Sequence, residues 1–439
     1  MSANKIDDYI QKLLPKLKDW RRHFHKYPEV GWTEIYTTYV ITQELKKLGG
    51  TVVYGKELIK PEARQGVPDE STLKRAKKRA EELQVTEEFI KQTEGGHTGA
   101  LIQFEGKKDG PHVCYRVDID ALPIKETSEA SHFPNKENFA SAFPGEMHAC
   151  AHDGHITIGL GLASFLSEYP EEWNGTVTII FQPAEEGSRG AKAVVAKGWL
   201  DNVDYFMSGH IGITDMEAGT IAATAAKFLA TTKFDVTFTG TSSHAGAKPE
   251  EGGNALLAAA TAAIHTQGIS RSSKGDTRIN IGELNAGSGR NVVADYAKLI
   301  GETRGSSTQV NQYMMNEAER MIEASALMHG VESQIEYTGE GMASECDSEW
   351  QQWIASALEK SRLVERVEPS REVGASEDAT VMINHVQKQG GKATYMLFGT
   401  KLAAGHHHPS FDYEEAVFGP ALAAFIHPLV NSIWWEEEN

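Results

Sequence analysis

Residues 177–187, Val-Thr-Ile-Ile-Phe-Gln-Pro-Ala-Glu-Glu-Gly, decide the fold class. The first five form a nearly continuous apolar run, which is typical of a strand covered on both faces. A helical pattern at 154–168 precedes this run, with Asp153 as its predicted N-cap, and another short apolar segment lies at 113–117. Strand, helix and strand in this order predict a parallel, doubly wound α/β sheet.

The chain length and a change of sequence pattern predict two domains. At 439 residues the chain exceeds what one hydrophobic core usually supports. Between 227 and 341, one-sided strand patterns alternate with helical patterns near 254–267 and 309–329. This alternation predicts a smaller α+β domain at 227–341. It is inserted into a larger domain that comprises 1–226 and 342–439.

The composition is that of an ordinary globular protein, with 40% hydrophobic and 24% charged residues. Lys and Arg number 43 against 61 Asp and Glu, and the formal net charge of -18 disfavours nucleic acid and anionic lipid as partners. No apolar run reaches the roughly 20 residues of a membrane span. Three cysteines at irregular spacing predict no disulfide framework, so we expect a reducing, cytoplasmic location. The charged stretch 56–94 predicts a mostly exposed helical insertion.

Candidate metal ligands are concentrated between Met147 and His155, just ahead of the predicted helix. In an extended segment, Cys150 and His152 face the same way and offer a thiolate and an imidazole to one cation. For His148 and His155 taken individually, surface positions in a polar loop are the better prediction. A polar loop with a half-buried cysteine is the alternative for the segment as a whole.

Three further polar clusters follow apolar segments and supply carboxylates and imidazoles. Glu185 and Glu186 come directly after the opening strand, at the edge where open α/β sheets bind ligands. Adjacent side chains point different ways there, so one carboxylate can bind metal while the other acts as a general base. His210 follows a second apolar segment, and the run from His406 to His408 follows a third. Together with the cysteine segment, these clusters predict a site for two metal ions.

Two other groups of polar residues are candidates for supporting roles. Arg116, Asp118 and Asp120 share one face of a predicted strand, where they would orient metal-bound imidazoles or form the salt bridges of an edge strand. The inserted domain contributes residues that can donate hydrogen bonds to a carboxylate or an oxyanion. They are His244, Asn291 and Arg304. Ordinary loop chemistry explains these three equally well.

These segments resemble the aminoacylase and carboxypeptidase superfamily of dinuclear metallopeptidases, in the branch that hydrolyses N-acyl amino acids. The matching segments are 116–123, 148–155, 183–187, 244–249, Asn291, 376–378 and the histidine run with Phe411. The resemblance implies an α/β catalytic domain with a doubly wound mixed sheet and an inserted, smaller α+β (ferredoxin-like) lid and dimerisation domain. One departure is Ala151, which stands where the branch usually has glycine.

The resemblance also implies a set of metal ligands. The set comprises Cys150, His152, Glu186, His210 and His407. Cys150 would bridge two divalent metal ions, zinc or manganese, and His406 is the alternative to His407. Asp118 and Asp120 would lie behind the ligands and orient them.

The resemblance assigns catalysis to Glu185, as general base and later as proton donor to the leaving amine. In the lid, His244, Asn291 and Arg304 would hold the substrate carboxylate and the tetrahedral oxyanion, partly across a dimer interface.

The reaction implied is hydrolysis of an amide that joins an aromatic acyl group to a glutamate-type amino acid, with p-aminobenzoyl-glutamate as the favoured substrate. Other N-acyl amino acids and dipeptides are the alternatives. We expect a homodimer, or a heterodimer with a related subunit on which turnover could depend. A cysteine hydrolase that uses Cys150 is a further alternative, which predicts inhibition by alkylation and indifference to chelators.

Overall fold

A computed structural model of the chain describes residues 1–431 and contains two β-sheets. The strands, in chain order, are β1 (Thr51–Tyr54), β2 (Ala100–Glu105), β3 (His112–Asp118), β4 (Thr176–Gln182), β5 (Tyr205–Ile211), β6 (Thr220–Ala226), β7 (Ala230–Thr239), β8 (Thr277–Ala286), β9 (Tyr296–Gly305), β10 (Glu332–Gly341), β11 (Arg366–Glu372) and β12 (Lys392–Phe398). Eight form the larger sheet in the order β1-β2-β4-β3-β5-β12-β6-β11, and four form the smaller in the order β10-β7-β9-β8.

Twelve α-helices surround the sheets in the described part of the chain. In chain order they are α1 (Ala3–Lys26), α2 (Ile35–Leu45), α3 (Glu70–Glu82), α4 (Glu87–Thr93), α5 (Phe133–Lys136), α6 (His152–Glu168), α7 (Ala191–Val195), α8 (Ala255–Thr266), α9 (Thr308–Met328), α10 (Glu349–Leu358), α11 (Ala379–Lys388) and α12 (Phe418–Asn431). Across residues 1–431, none of them has the length and apolar character needed to span a bilayer.

The larger sheet is parallel at its centre and mixed overall. β3 pairs in parallel with β4 and β5, and β5 with β12, whereas β2 runs antiparallel to β4 and β6 antiparallel to β12. Along β4, Ile179 and Phe181 face a core under α1, α6 and α12, while Ile180 faces a second core under α7 and α11. Because both faces are covered, the strand shows no polar alternation. The prediction of a doubly wound α/β sheet is confirmed.

The smaller sheet is antiparallel throughout and belongs to an α+β unit inserted between β6 and α10. Along β7, Phe234, Val236 and Phe238 are buried, and the residues between them are half-buried. Helices α8 and α9 cover the buried face. One-sided burial explains the alternation in the sequence, and we refer to this unit as the lid.

The insertion at 56–94 carries α3 and α4, whose N-terminal N–H groups are capped by Asp69 and Thr86. Its charged residues are mostly exposed. Ala76 and Phe89, however, pack in a small hydrophobic cluster with α2. The insertion is therefore anchored on the catalytic domain.

Helix α6 begins differently from the prediction. Ala151 occupies the N-cap position, with a left-handed φ of 63°. Asp153 lies in the first turn, where its carboxylate accepts hydrogen bonds from Arg21 and from the hydroxyl of Tyr413, each at 3.0 Å. The predicted cap is wrong because a buried arginine and a buried tyrosine take the carboxylate instead.

Candidate active site

Neighbouring strands of the larger sheet end at one edge, and the predicted site residues follow them. β3 ends at Asp118, β4 ends at Gln182 shortly before Glu185, and β5 ends one residue after His210. The histidine run follows β12, which is parallel to β5. Because carboxyl ends of parallel strands share an edge, side chains far apart in sequence converge there.

Cys150 lies at the centre of the predicted ligands. Its Sγ is 3.5 Å from Nε2 of His210, and it belongs to two groups whose donor atoms all lie within 4.8 Å of one another. One group adds His152 and His210, and the other adds Glu186 and His407. The structure therefore brings all five predicted ligands together around a shared sulfur, an arrangement that suits two neighbouring cations.

Hydrogen bonds orient two of the imidazoles. Nδ1 of His152 donates to the carbonyl of Asp120 at 2.8 Å, and Nδ1 of His210 donates to the carbonyl of Ile211 at 2.9 Å. Each bond leaves Nε2 of that ring directed to the cluster of predicted ligands around Cys150, called the Cys150 cluster below. Nε2 of His152 is buried and has no hydrogen-bond partner within residues 1–431. An imidazole held in this way is suited to bind a cation once Nε2 carries no proton.

The other two histidines of the cysteine segment do not join the groups that share Cys150. Nδ1 of His155 donates to Asp118 at 2.6 Å, and its Nε2 accepts the backbone N–H of Ile211 at 3.0 Å. His148 is buried, and this burial lowers its pKa to about 3. The surface positions predicted for both are wrong, because each ring is buried.

The histidine run separates into two environments. Nε2 of His407 lies 3.4 Å from Oε1 of Glu186. Nε2 of His406 instead donates to the carbonyl of Gly212 at 2.9 Å, and its ring packs against Phe411 with centroids 4.8 Å apart. The geometry favours His407 over His406 as a ligand.

Asp120 holds the turn that carries the paired glutamates. Its carboxylate oxygens accept the backbone N–H groups of Glu185 and Glu186, each at 3.0 Å. Asp118 lies 3.7 Å from Nε2 of His152. Both aspartates therefore lie directly behind predicted site residues. The alternative of a salt-bridged edge strand is wrong, because β3 lies inside the sheet between β4 and β5.

A buried ion-pair network behind this turn was not predicted. Arg116 is fully buried and donates to Asp118 at 2.8 Å and to Glu377 and Asp378 at 3.0 Å each. The segment 376–378 was among those that carried the resemblance, but nothing in its sequence indicates this contact. Burial, followed by the charge of Glu377, raises the pKa of Glu185 well above its usual range.

The lid reaches the cluster through β7 and β9. Lys233 and Arg304 line the same cavity, about 390 Å³ in volume, as Cys150 and Glu185. Arg304 was predicted, and its Nε and Nη2 contact Glu302 at 2.9 and 3.2 Å. Lys233 was missed, because a lysine on a one-sided strand cannot be told from a solvent-facing residue by pattern alone.

His244 and Asn291 lie at another part of the lid, where both are exposed. The backbone N–H of Ala245 donates to the carbonyl of Asn291 at 3.0 Å, which joins their two loops into one tip. Nδ1 of His244 accepts the backbone N–H groups of Gly246 and Ala247. A single chain does not bring this pair into the cavity, and their roles stay predictions.

Similarity to known proteins agrees with this geometry. The profile of Peptidase family M20/M25/M40 matches residues 114–427, most of the chain. The chain belongs to the M20 peptidase family. One component of the p-aminobenzoyl-glutamate hydrolase of Escherichia coli (strain K12) is 44% identical over 433 residues, 98% of each chain. The indole-3-acetyl-aspartic acid hydrolase of Enterobacter agglomerans is 42% identical over 430 residues, again 98% of each.

A crystal structure of an aminobenzoyl-glutamate utilization protein from Klebsiella pneumoniae has the same M20 architecture, with a TM-score of 0.83 and 37% identity. The match covers 97% of this chain and 98% of that one. Family membership and these full-length relatives make the chain a metal-dependent amidohydrolase.

Several residues of this M20 site have left-handed backbone. Ala151, Ala184, Ser188 and His407 have φ between 52° and 63°, and each is a predicted site residue or lies within two residues of one. This conformation costs a residue other than glycine roughly 1–2 kcal/mol. Strain of this kind persists where surrounding contacts impose it, as they do at functional sites. At Ala151 the strain explains why a glycine would suit the position.

Proposed function

We propose that the chain hydrolyses the amide between an aromatic acyl group and a dicarboxylic amino acid, with p-aminobenzoyl-glutamate as the favoured substrate. The observation that carries this proposal is the cavity that combines the Cys150 cluster with Lys233 and Arg304 of the lid. An acylated glutamate presents two carboxylates, and the two lid cations supply a partner for each. The relatives named for amides of glutamate and aspartate support a dicarboxylic amino acid.

We propose two divalent metal ions, zinc or manganese, as cofactors. Oε1 of Glu186, like Nε2 of His152, is buried without a hydrogen-bond partner within residues 1–431. Burial, followed by the charge of Glu186, raises the pKa of the Cys150 thiol, and adjacent cations would favour its thiolate. The mixed donor set fits either metal. The residues proposed to hold the ions are Cys150, His152, Glu186, His210 and His407.

Glu185 is the residue proposed to move protons. When bound, the metal ions polarise the amide carbonyl and lower the pKa of water. Glu185 takes a proton from the attacking water and passes it to the leaving nitrogen. Its raised pKa, caused by burial and then by Glu377, suits a carboxylate that must hold this proton between the two steps. Asp120 fixes Glu185 for both steps by accepting its backbone N–H.

We assign the substrate carboxylates to Lys233 and Arg304. Lys233 lies directly across the β7–β9 pairing from Glu302, and Glu302 contacts the Nε–Nη2 edge of Arg304. A substrate carboxylate would therefore meet the opposite edge of the guanidinium, which still offers N–H donors. The side chains of Lys233 and Arg304 lie at neighbouring positions of one sheet face, as binding of a dicarboxylate requires.

We propose a dimer that forms through the lid, with a second copy or with a related subunit. Helix α8 exposes Leu256, Leu257 and Ile264, the last 71% exposed. Strand β8 is an edge of the lid sheet. Clustered exposed apolar side chains and an open strand edge are typical of contact surfaces. His244 and Asn291 belong to the same lid, and association would let one chain present them to the cluster of the other.

A second candidate keeps the chemistry and changes the substrate to indole-3-acetyl-aspartate. The relative named for that compound is nearly as similar as the relative named for p-aminobenzoyl-glutamate. One methylene separates glutamate from aspartate, and a difference of that size gives only about 10–200-fold discrimination. A chain that needs a partner for turnover is the third candidate, because the Escherichia coli relative is named as one subunit of its hydrolase.

We also propose a cytoplasmic location. Cys114, Cys150 and Cys346 are all free thiols, and a reducing compartment preserves thiols. Cys150 can serve as a thiolate ligand only where it stays reduced. Fractionation of cells that express the tagged chain tests the location.

The deciding experiment measures metal content and kcat/KM on one preparation. The substrates are p-aminobenzoyl-glutamate, p-aminobenzoyl-aspartate and indole-3-acetyl-aspartate, assayed with the chain alone and with a related partner chain. The highest kcat/KM on p-aminobenzoyl-glutamate is expected. A higher value on indole-3-acetyl-aspartate would select the second candidate, and turnover only with the partner would select the third. Indifference to chelators, combined with inactivation by alkylation of Cys150, would establish a cysteine hydrolase instead.

A further inference from the structure

The turn that carries Glu185 and Glu186 is tied to the insertion by one side chain. Nε of Arg189 donates to the carbonyl of Glu186 at 2.7 Å. Nη1 of the same residue donates to the carbonyl of Gly66, in the insertion, at 3.1 Å. Hydrogen bonds from a charged donor are stronger than neutral ones. One guanidinium therefore joins the backbone of a predicted metal ligand to a segment remote in sequence.

Two glycines leave room for this side chain. A Cβ on Gly31 would lie 2.2 Å from Nη2 of Arg189, and a Cβ on Gly66 would lie 2.7 Å from its Cδ. Gly66 also has a φ of 54°, and its Cβ would lie 2.6 Å from the carbonyl oxygen of Thr338 in lid strand β10. A side chain at position 66 would thus push apart the arginine and the lid.

The insertion is anchored well enough to act as a support. The carbonyl of Gln65 accepts Nε1 of the fully buried Trp32 at 2.8 Å. Nη1 of Arg64 donates to the carbonyls of Gly95 and Gly96 at 2.6 and 2.9 Å, which joins the segment before α3 to the residues after α4. The loop that meets Arg189 is therefore held on both sides.

The lid contacts the opposite side of the turn. The backbone N–H of Glu340, in β10, donates to the carbonyl of Ser188 at 2.8 Å. Lys192 also pairs with the side chain of Glu340 at 2.8 Å. The turn from Glu185 to Arg189 is therefore clamped between the insertion and the last lid strand.

We propose that Arg189 is a positioning residue through which the insertion 56–94 holds the Glu185–Glu186 turn in its working geometry against β10. Arg189 acts through the carbonyl of Glu186 and contacts neither substrate nor reacting atoms. The inference rests on the roles proposed above for the two glutamates. A displacement of about 1 Å at a reacting group can cost about a hundredfold in rate, so a remote contact can control turnover.

The test compares Arg189→Met with Arg75→Met on p-aminobenzoyl-glutamate. Arg189→Met keeps the length of the side chain and removes both hydrogen bonds, whereas Arg75→Met changes an exposed arginine of the insertion that donates to Thr72 within α3. We expect Arg189→Met to lower kcat about tenfold to a hundredfold with KM near the wild-type value, and Arg75→Met to keep kcat. Methylguanidinium added to Arg189→Ala should restore part of the lost kcat, because it can re-form both hydrogen bonds.

Unchanged kcat in Arg189→Met, or equal losses in Arg189→Met and Arg75→Met, would overturn the proposal. Gly66→Ala is a second variant, in which the added Cβ displaces the guanidinium without removing it, and the same loss of kcat is expected. If Arg189→Met fails to fold, Gly66→Ala decides the question. Unfolding temperature and metal content are measured for every variant.

Glu185→Gln, assayed in parallel, separates this proposal from the proposed function. Full turnover in Glu185→Gln would reject the role of Glu185 whatever Arg189→Met does. An inactive Glu185→Gln beside a fully active Arg189→Met would reject only the positioning role of Arg189.

Discussion

The catalytic side and the lid side of the site differ: a single chain orients the residues of the first but leaves His244 and Asn291 of the second outside the cavity. On the catalytic side, Glu185, His152 and His210 are at most 8% exposed, and the hydrogen bonds that they donate to buried acceptors orient them. On the lid side, His244 and Asn291 are exposed and lie outside the cavity. The difference indicates that the groups proposed for the chemistry are prepared inside one chain, whereas the roles predicted for His244 and Asn291 would require lid movement or a second chain.

Burial explains the fixed half. A buried polar group without a partner costs free energy, so the buried carboxylates around Arg116 must take defined partners. An exposed side chain such as His244 can be hydrated in many orientations, so burial does not require it to take defined partners. The predictions below test this contrast.

The largest effect is expected at the general base. Glu185→Gln should lower kcat about 10²–10⁴-fold while keeping bound metal, because an amide cannot accept the proton. Glu186→Ala should instead weaken metal binding. Metal content and kcat, determined on the same preparations, check both. Loss of metal in both variants would contradict the division of labour between the two carboxylates.

The next effect tests whether the lid acts across a dimer. His244→Ala should lower kcat about 10²–10³-fold, as loss of an oxyanion donor does. Mixing His244→Ala with Glu185→Gln should then recover about a quarter of wild-type turnover, because random exchange in a two-fold dimer leaves one intact site in each mixed pair. Each variant mixed with itself is the control. No recovery would mean that His244 does not act from the second chain.

A smaller loss is expected for carboxylate recognition. Arg304→Ala should raise KM about tenfold to a hundredfold for a substrate with a free α-carboxylate, since a hydrogen bond to a charged group contributes about 1.5–3 kcal/mol. An analogue with an amidated α-carboxylate should be affected much less, and Lys233→Met is the matched variant for the second carboxylate. Comparing wild type and Arg304→Ala on the free and the amidated substrate isolates the contact between Arg304 and the α-carboxylate. Equal losses on the two substrates would leave Arg304 a structural role only.

The pH dependence of the free energy of unfolding tests how Glu126 stabilises the catalytic side. Burial raises the pKa of Glu126, but hydrogen bonds with His132 and His25 lower it by more. The net result is a pKa of about 2 instead of the ordinary 4.5. A lowered pKa contributes stability that is present above pH 4.5 and is lost as pH falls towards 2. Glu126→Gln should therefore lower the free energy of unfolding by roughly 2 kcal/mol at pH 7, after allowance for solvent screening, and by almost nothing near the folded-state pKa.

Urea unfolding of Glu126→Gln and wild type across this pH range checks the prediction. Glu129→Gln, at an exposed neighbouring position, is the control and should change little. A difference between Glu126→Gln and wild type that does not vary with pH would refute the explanation by hydrogen bonds to the ionised carboxylate.

The smallest effect concerns backbone strain beside Cys150. Ala151→Gly should raise the free energy of unfolding by up to about 1 kcal/mol, because relief of the left-handed φ exceeds the added chain entropy of glycine. Ala163→Gly, the same change inside α6, should destabilise by about 1 kcal/mol or more. Thermal unfolding of both variants gives the comparison. Equal destabilisation would show that the left-handed φ at Ala151 stores no appreciable strain.

Local patterns were enough to place the catalytic half. The apolar run before Glu185 predicted a strand buried on both faces, as the structure confirms. The polar residues after it predicted a ligand edge, and the structure brings the candidate donor atoms close together there. The cap at Asp153 was wrong because its partners, Arg21 and Tyr413, come from distant elements. Lys233 was missed for a related reason: only the docking of the lid places it beside the glutamates.

The sequence patterns by themselves predicted the fold class and the four clusters of candidate ligands, because strand burial and the residue types at strand ends are local properties. The choice of five ligands within those clusters came from the family resemblance. Tertiary structure alone decided that His407 rather than His406 meets Glu186, that Arg116 pairs with Glu377, and that the insertion reaches the catalytic turn through Arg189. These are contacts between segments far apart in the chain. Such contacts depend on distance and orientation in the folded protein, which no local periodicity encodes.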